Sequence, residues 1–157
     1  MNVKLNGIDR VKHYIDEKDI NAKIVVLDSS TKTSKLAAEA LGCTIAQIAK
    51  SIVFKGSRPI VVVISGDKKV DLTLLSNIVK ERVEMADPEY IQANTGYRVG
   101  GVPPFPHNPQ VKTYLDASLF RWSEVWAAAG EPNAVMKIKV SDLQNTICAE
   151  IINVSKD

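Results

Sequence analysis

Two β-branched runs decide the fold: Ser51-Ile52-Val53-Phe54-Lys55 and Ile60-Val61-Val62-Val63-Ile64-Ser65, separated by Gly56-Ser57-Arg58-Pro59. Branched side chains favour the extended backbone, and turn-forming residues between two such runs predict a hairpin. Toward the N-terminus, Ile8, Val11, Tyr14 and Ile15 recur at helical spacing and predict a helix over 7–18 ahead of a strand over 22–27. Leu36, Ala37, Ala40 and Leu41 form one apolar face of a short helix that Gly42 ends, and Thr44 caps another over 45–49. Beyond the hairpin, a helix is expected over 71–80 and a strand over 82–86. Asp87-Pro88 then opens a helix that stops before Gly96. Further strands are expected over 112–115, 125–129, 135–140 and 148–154, with a short helix seeded at Ser141-Asp142. Strands interleaved with short helices at irregular spacing fit a mixed sheet rather than a regular parallel array. The expected class is α+β, a curved, barrel-like mixed sheet flanked by short helices. It forms a single domain over 1–157 in which residues 1–20 are an N-terminal helical extension.

Composition narrows the function. The 157 residues are 45% apolar and 24% charged with a net charge of +2, so the chain is neither disordered nor transmembrane. No membrane partner is expected. The start of the chain lacks the pattern of a secretory signal, and Cys43 and Cys148 form no disulfide framework, so the expected location is the cytoplasm. His13, His107, Cys43 and Cys148 lie too far apart to make a metal-ligand motif, and no metal or cofactor is expected. No nucleophile sits in a recognisable setting such as GxSxG, which points to chemistry without a covalent nucleophile. Residues 1–80 carry thirteen Lys+Arg against eight Asp+Glu, whereas residues 81–157 carry seven against ten. The basic half holds Lys32, Lys35, Lys50, Lys55, Arg58, Lys68 and Lys69, either a phosphate-binding patch or ordinary solvated lysines.

Two segments carry candidate chemistry. Gly96 to Pro109 contains three of the eight glycines and four of the seven prolines, so it is a structured loop. Gly100-Gly101 can bring bare backbone N–H groups toward an anionic or polarised oxygen, with Pro103 and Pro104 stiffening the turn; the plainer reading is a rigid connection. Lys50 falls where a short helix meets an apolar strand. It is either a partly desolvated site cation or a helix-ending lysine that complements the dipole.

Thr33, Leu36-Ala-Ala-Glu-Ala-Leu-Gly42, Ile48-Ala-Lys50-Ser-Ile-Val-Phe-Lys55, Gly66-Asp-Lys-Lys-Val-Asp-Leu72, Thr95-Gly-Tyr-Arg-Val-Gly-Gly-Val-Pro-Pro104, Asp116 and Gly130 with Val140-Ser-Asp-Leu143 follow one another in order. Together they resemble the YbaK/prolyl-tRNA synthetase insertion-domain family of aminoacyl-tRNA deacylases, over nearly the whole chain beyond the first helix. The resemblance implies a free-standing domain that hydrolyses amino acids wrongly esterified to tRNA, in particular tRNA for proline. Lys50 would be the key catalytic lysine, and Gly100, Gly101, Val102, Pro103 and Pro104 the substrate-binding loop. Thr33 would stand at the pocket lip, unless it caps a helix, and Asp116 would match a recurrent aspartate, unless it caps a turn. Some members carry Asp or His after the glycine matching Gly130; here the segment reads Gly130-Glu-Pro-Asn133, leaving Asn133 as a candidate hydrogen-bonding group.

His107 is either a proton shuttle or an exposed loop histidine, and Tyr97 or Phe105 either stacks on the terminal adenine or belongs to the core. The implied partners are the acceptor end of tRNA and a possible aminoacyl-tRNA synthetase, with no DNA. A synthetase pocket separates side chains differing by one methylene by only about 1–3 kcal/mol, so a second hydrolytic site is needed for small wrong amino acids. The alternative is a catalytically silent tRNA- or synthetase-binding module on the same fold.

Overall fold

A computed structural model of the chain describes residues 6–28 and 30–157. Residues 1–5 of the expected N-terminal extension and Ser29 of the following connector lie outside the described residues. The strands are β1 (Ala22–Val26), β2 (Ile48–Lys55), β3 (Pro59–Ser65), β4 (Lys69–Val70), β5 (Glu84–Met85), β6 (Lys112–Asp116), β7 (Glu124–Ala128), β8 (Ala134–Lys139), β9 (Glu150–Ile152) and β10 (Ser155–Lys156). The helices are α1 (Gly7–Lys18), α2 (Ser34–Leu41), α3 (Leu72–Val79), α4 (Pro88–Thr95) and α5 (Val140–Ile147).

The expected hairpin is the centre of the main sheet. β2 and β3 pair antiparallel from Ala49 opposite Ser65 to Lys55 opposite Pro59. The sheet runs β1-β8-β7-β2-β3-β6-β9, with β5 also paired to β2. It is mixed, because β2·β7, β3·β6 and β6·β9 are parallel and the remaining pairs antiparallel. The sheet does not close: β1 and β9 are its edges. β4 and β10, which the sequence pattern did not announce, form a separate antiparallel pair.

All seven residues of β3 are buried because the sheet carries apolar layers on both faces. Val61 and Val63 point into the larger core with Tyr97, Leu115, Met136 and Leu143, whereas Ile60, Val62 and Ile64 point to Leu75 of α3 and to Val154. Burying side chains of this size contributes about 1.5–3 kcal/mol each. Val11 and Ile15 of α1 enter the larger core.

Helix starts follow the capping chemistry. The Asn6, Thr33, Asp71 and Asp87 side chains accept from the first turns of α1 to α4, and Gly42 and Gly96 end α2 and α4 in the left-handed region. The expected helix over 45–49 is a single 3₁₀ turn over Ile45–Gln47, so β2 begins early and Lys50 lies inside the strand. A role for Lys50 at a helix end is therefore set aside. The strand expected over 82–86 shrinks to Glu84–Met85, and α5 consumes the sequence as far as Ile147.

Asp116 is fully buried, with Oδ2 accepting from Ser118 N at 2.9 Å and Oδ1 from Val154 N at 2.9 Å. It ties the 3₁₀ turn over Ala117–Arg121 to the C-terminal strands. Asp116→Ala leaves two buried N–H donors without an acceptor and is expected to cost about 2–4 kcal/mol in urea unfolding. Asp116→Asn, which keeps one acceptor, should cost less.

Candidate active site

One edge of β2 is divided. β7 pairs with it at Ile48 and Ala49, and β5 at Phe54 and Lys55, leaving residues 50–53 without a strand partner on that side. Ala86 N reaches back to Val53 O at 3.2 Å and closes the far end. The gap opens a cleft of about 520 Å³, within the range of small-molecule sites. Its wall is apolar, mixing small groups such as Ala49, Ala86 and Ala127 with the larger Ile52, Ile91 and Trp126. Lys32, Thr33, Lys50, Gly66 and Gly100 supply polar groups at the wall.

Strand alternation turns Lys50 and Ser51 to opposite faces, and both line the cleft because it opens at the strand edge. Lys50 Nζ donates to Gly66 O at 3.4 Å. Burial lowers its pKa below that of an ordinary lysine; the attraction of Asp67 works against this, and repulsion from Lys69 adds to it. Ser51 Oγ is buried with no protein partner among the described residues. Among the described residues Lys50 and Lys32 are the titratable side chains in this lining, which offers ammonium groups, hydroxyls and backbone but no carboxylate or imidazole.

The model of the aminoacyl-tRNA editing domain matches residues 28–146. The chain belongs to this family. Its curated relatives include the uncharacterized protein YwhH of Bacillus subtilis, 32% identical over 96% of this chain and 98% of that one. The multifunctional Ser/Thr-tRNA deacylase ProXp-y of Escherichia coli is 27% identical over 82% of this chain and 81% of that one. Among solved structures, a candidate trans-editing enzyme for prolyl-tRNA synthetase superposes with a TM-score of 0.89 at 32% identity, covering 99% of this chain and 100% of that one. Members of the editing family hydrolyse mischarged aminoacyl-tRNA, and the chain is a hydrolase of this class. Among the described residues no helix is long and apolar enough to cross a membrane.

In this editing domain the site residues expected from the sequence separate into two groups. Thr33, Lys50, Gly100 and Val102 line the cleft; Gly101, Pro103, Pro104, His107, Asp116 and Asn133 do not. Thr33 serves both readings, since its Oγ1 also caps α2 by accepting from Leu36 N at 3.1 Å. Gly100 has φ +88°, and a Cβ there would press on Lys32. Gly101 is small for another reason: a Cβ would lie 2.8 Å from the Glu131 backbone. Its N–H donates to Arg98 O at 2.9 Å and its C=O accepts from Gly130 N at 3.0 Å, so both polar groups are engaged within the fold. The expectation that Gly101 presents them to a ligand is corrected accordingly. Asn133 Nδ2 donates to Leu27 O at 3.3 Å and joins two loops.

The aromatic expectations also resolve. Tyr97 and Phe105 are core residues and cannot stack on a base, while Trp126 lines the cleft. His107 is not an exposed loop histidine: its Nε2 lies 2.8 Å from Pro103 O, an N–H donor contact in the matching tautomer, and its ring packs edge-on against Tyr97. Tyr97 Oη donates to Pro106 O at 2.8 Å, and Arg10 sits over the Tyr97 ring. The basic patch is dispersed, because Arg58 donates to Pro109 O and Gln110 O and Lys68 pairs with Asp157. Met85, Ala86 and Trp126 join the cleft where β5 and β7 pair with β2, and Ile91 joins it from α4, placements that no local motif encodes.

Burial depresses the His107 pKa from 6.5 to about 4. Below 6.5 the unfolded chain takes up a proton that the folded chain refuses, so stability is full above that pH and declines as pH falls toward about 4. The loss should be on the order of 3 kcal/mol across that window. Chemical denaturation of His107→Gln, which keeps a donor but does not titrate, should show a flatter pH dependence between these limits.

Proposed function

We propose that the chain is a trans-editing deacylase that frees tRNA, that for proline, from a small wrong amino acid such as serine, alanine or cysteine. It acts in the cytoplasm on the acceptor end, alone or beside a synthetase. The observation that carries this reading is Lys50, a half-buried ammonium at the divided edge of β2, facing an apolar chamber in which alanines and valines stand among the larger Ile52, Ile91 and Trp126. Such a chamber admits a small side chain. The solved relative named for prolyl-tRNA synthetase supports the choice of tRNA, and the Ser/Thr-tRNA deacylase supports the choice of amino acid.

In the reaction, water adds to the ester carbonyl carbon, the bond to the ribose oxygen breaks, that oxygen takes a proton, and the amino acid leaves as its carboxylate. Lys50 holds the terminal phosphate or the ester region and stabilises developing negative charge. Thr33 and the bare backbone at Gly100 orient the aminoacyl group. With no carboxylate or imidazole in the described lining, the vicinal ribose hydroxyl of the substrate relays one proton of the water to the departing ribose oxygen, and solvent takes the other.

The test is ester loss from Ser-, Ala-, Cys- and Thr-charged tRNA for proline, with correctly charged tRNA as control. The protein should hydrolyse at least one mischarged member, and Lys50→Ala should lower kcat/KM by about 10²–10³-fold, the usual loss of an oxyanion-stabilising group. Hydrolysis that survives Lys50→Ala overturns the role of Lys50. Binding of every tRNA with hydrolysis of none selects the silent binding module.

A further inference from the structure

Arg121 lies outside the cleft, at the end of the 3₁₀ turn after β6, and binds a carboxylate whose chain neighbour touches Lys50. Asp67 follows directly on Gly66, whose carbonyl accepts from Lys50 Nζ. Its negative charge acts on Lys50, but among the described residues the two form no ion pair. Instead both Asp67 oxygens are taken by Arg121, Nη2 to Oδ1 at 2.7 Å and Nη1 to Oδ2 at 3.1 Å. This planar fork is the geometry that a carboxylate accepts most firmly.

The fork is itself anchored. Arg121 Nε donates to Ser118 O at 2.9 Å and Nη2 to Ser65 Oγ at 2.8 Å. Ser65 is fully buried, its Oγ donates to Ala46 O, and its N–H donates to Ser118 Oγ at 3.2 Å. Two of the three guanidinium nitrogens, Nε and Nη2, are thus directed by partners on the turn and the strand, and Nη1 is left to meet Asp67. The Arg121 and Asp67 side chains remain 41% and 34% exposed, and ion pairs of that exposure add little to stability. A function other than stabilisation is the better account of so complete an arrangement.

We propose that Arg121 is a positioning residue for Lys50: by holding both oxygens of Asp67 it keeps that carboxylate from pairing with the ammonium and leaves Lys50 available to the substrate. The proposal rests on the reading that Lys50 acts on the aminoacyl ester. Without the fork, Asp67 is an unheld carboxylate on the residue that follows Gly66, whose carbonyl already accepts from Lys50 Nζ, and a pair formed there would neutralise the charge the ester needs and occupy its donors. Asp67 remains beside the cleft as a background charge that favours the protonated lysine.

The experiment compares deacylation by the full chain with that by Arg121→Ala, Asp67→Asn and the double variant, alongside an NMR titration of Lys50 through its side-chain Cε and Nζ signals. Arg121→Ala should lose about tenfold or more in kcat/KM, and its Lys50 should titrate at higher pH than in the unaltered chain. Asp67→Asn should stay within about threefold of the unaltered chain, and the double variant should return to the Asp67→Asn level in both readouts. That rescue separates the proposal from structural damage, because the double variant still lacks every Arg121 contact. The proposal is overturned if Arg121→Ala keeps full activity and an unmoved Lys50 titration, or if the double variant is as impaired as Arg121→Ala. Full activity in Lys50→Ala would instead overturn the role of Lys50 on which the proposal rests, whereas an inactive Lys50→Ala with a neutral Arg121→Ala removes only the clamp.

Discussion

The divided edge of β2 is the constraint on which the rest of the site depends. A strand inside a sheet normally engages its backbone polar groups on both sides, and groups left without a partner must find water or a ligand. Here β7 approaches parallel at one end and β5 antiparallel at the other, so neither can continue along the strand into the other's register. The interruption leaves residues 50–53 exposed to a cleft in the middle of an otherwise paired sheet. Lys50 acquires both its access and its partial desolvation from this position. On an edge strand it would be solvated, and under a continuous ladder it would be covered.

The opposite wall is fixed rather than mobile in design. Tyr97, His107 and Arg10 join the Gly/Pro loop to itself and to α1 through the Pro103 and Pro106 carbonyls and the Thr95 carbonyl. Gly101 is closed against Glu131, and Gly130 N completes the contact. Only the stretch Val99, Gly100 and Val102 faces the cleft. A wall stitched in this way keeps its shape before substrate arrives, which is what a site acting by positioned dipoles and one cation requires. It also shows why two adjacent glycines are not equivalent: one is required by a left-handed backbone facing the site, the other by a neighbouring backbone behind it.

Much of the scaffold was legible in the sequence because its signals are local. The β-branched runs, the 3.6-residue spacing of Val11 and Ile15, the Asp87-Pro88 start and the Gly42 stop each act within one turn or strand. Lys50, Thr33 and the Gly100 region were singled out for chemistry and do meet in the cleft. What escaped was long-range. Asp116 and Asn133 resemble site residues in sequence, yet their side chains satisfy buried or loop backbone groups. A histidine in a proline-rich loop gives no sign that Tyr97 will pack beside it. The division of β2 depends on where β5 and β7 stop, and a two-residue strand such as β5 has no pattern of its own.

Charge follows the same logic. A formal +2 with a basic first half left a phosphate-binding patch and ordinary solvated lysines both open, and the fold engages several of those charges internally: Arg58 on the carbonyls of Pro109 and Gln110, Lys68 on Asp157, and Lys55 over the Tyr90 ring. Lys32 and Lys50 remain at the cleft, with Lys69 near enough to disfavour protonation of Lys50. On the proposed reading, so small a set of cations neutralises few phosphates, and the counterion-release contribution to binding grows with that number. Discrimination then falls to the shape of the alanine-lined chamber and to whether one ammonium is free at the moment the ester is seated. On that same reading the protein binds its nucleic acid loosely and commits its strongest electrostatic group to the reacting bond, where charge develops and water is scarce.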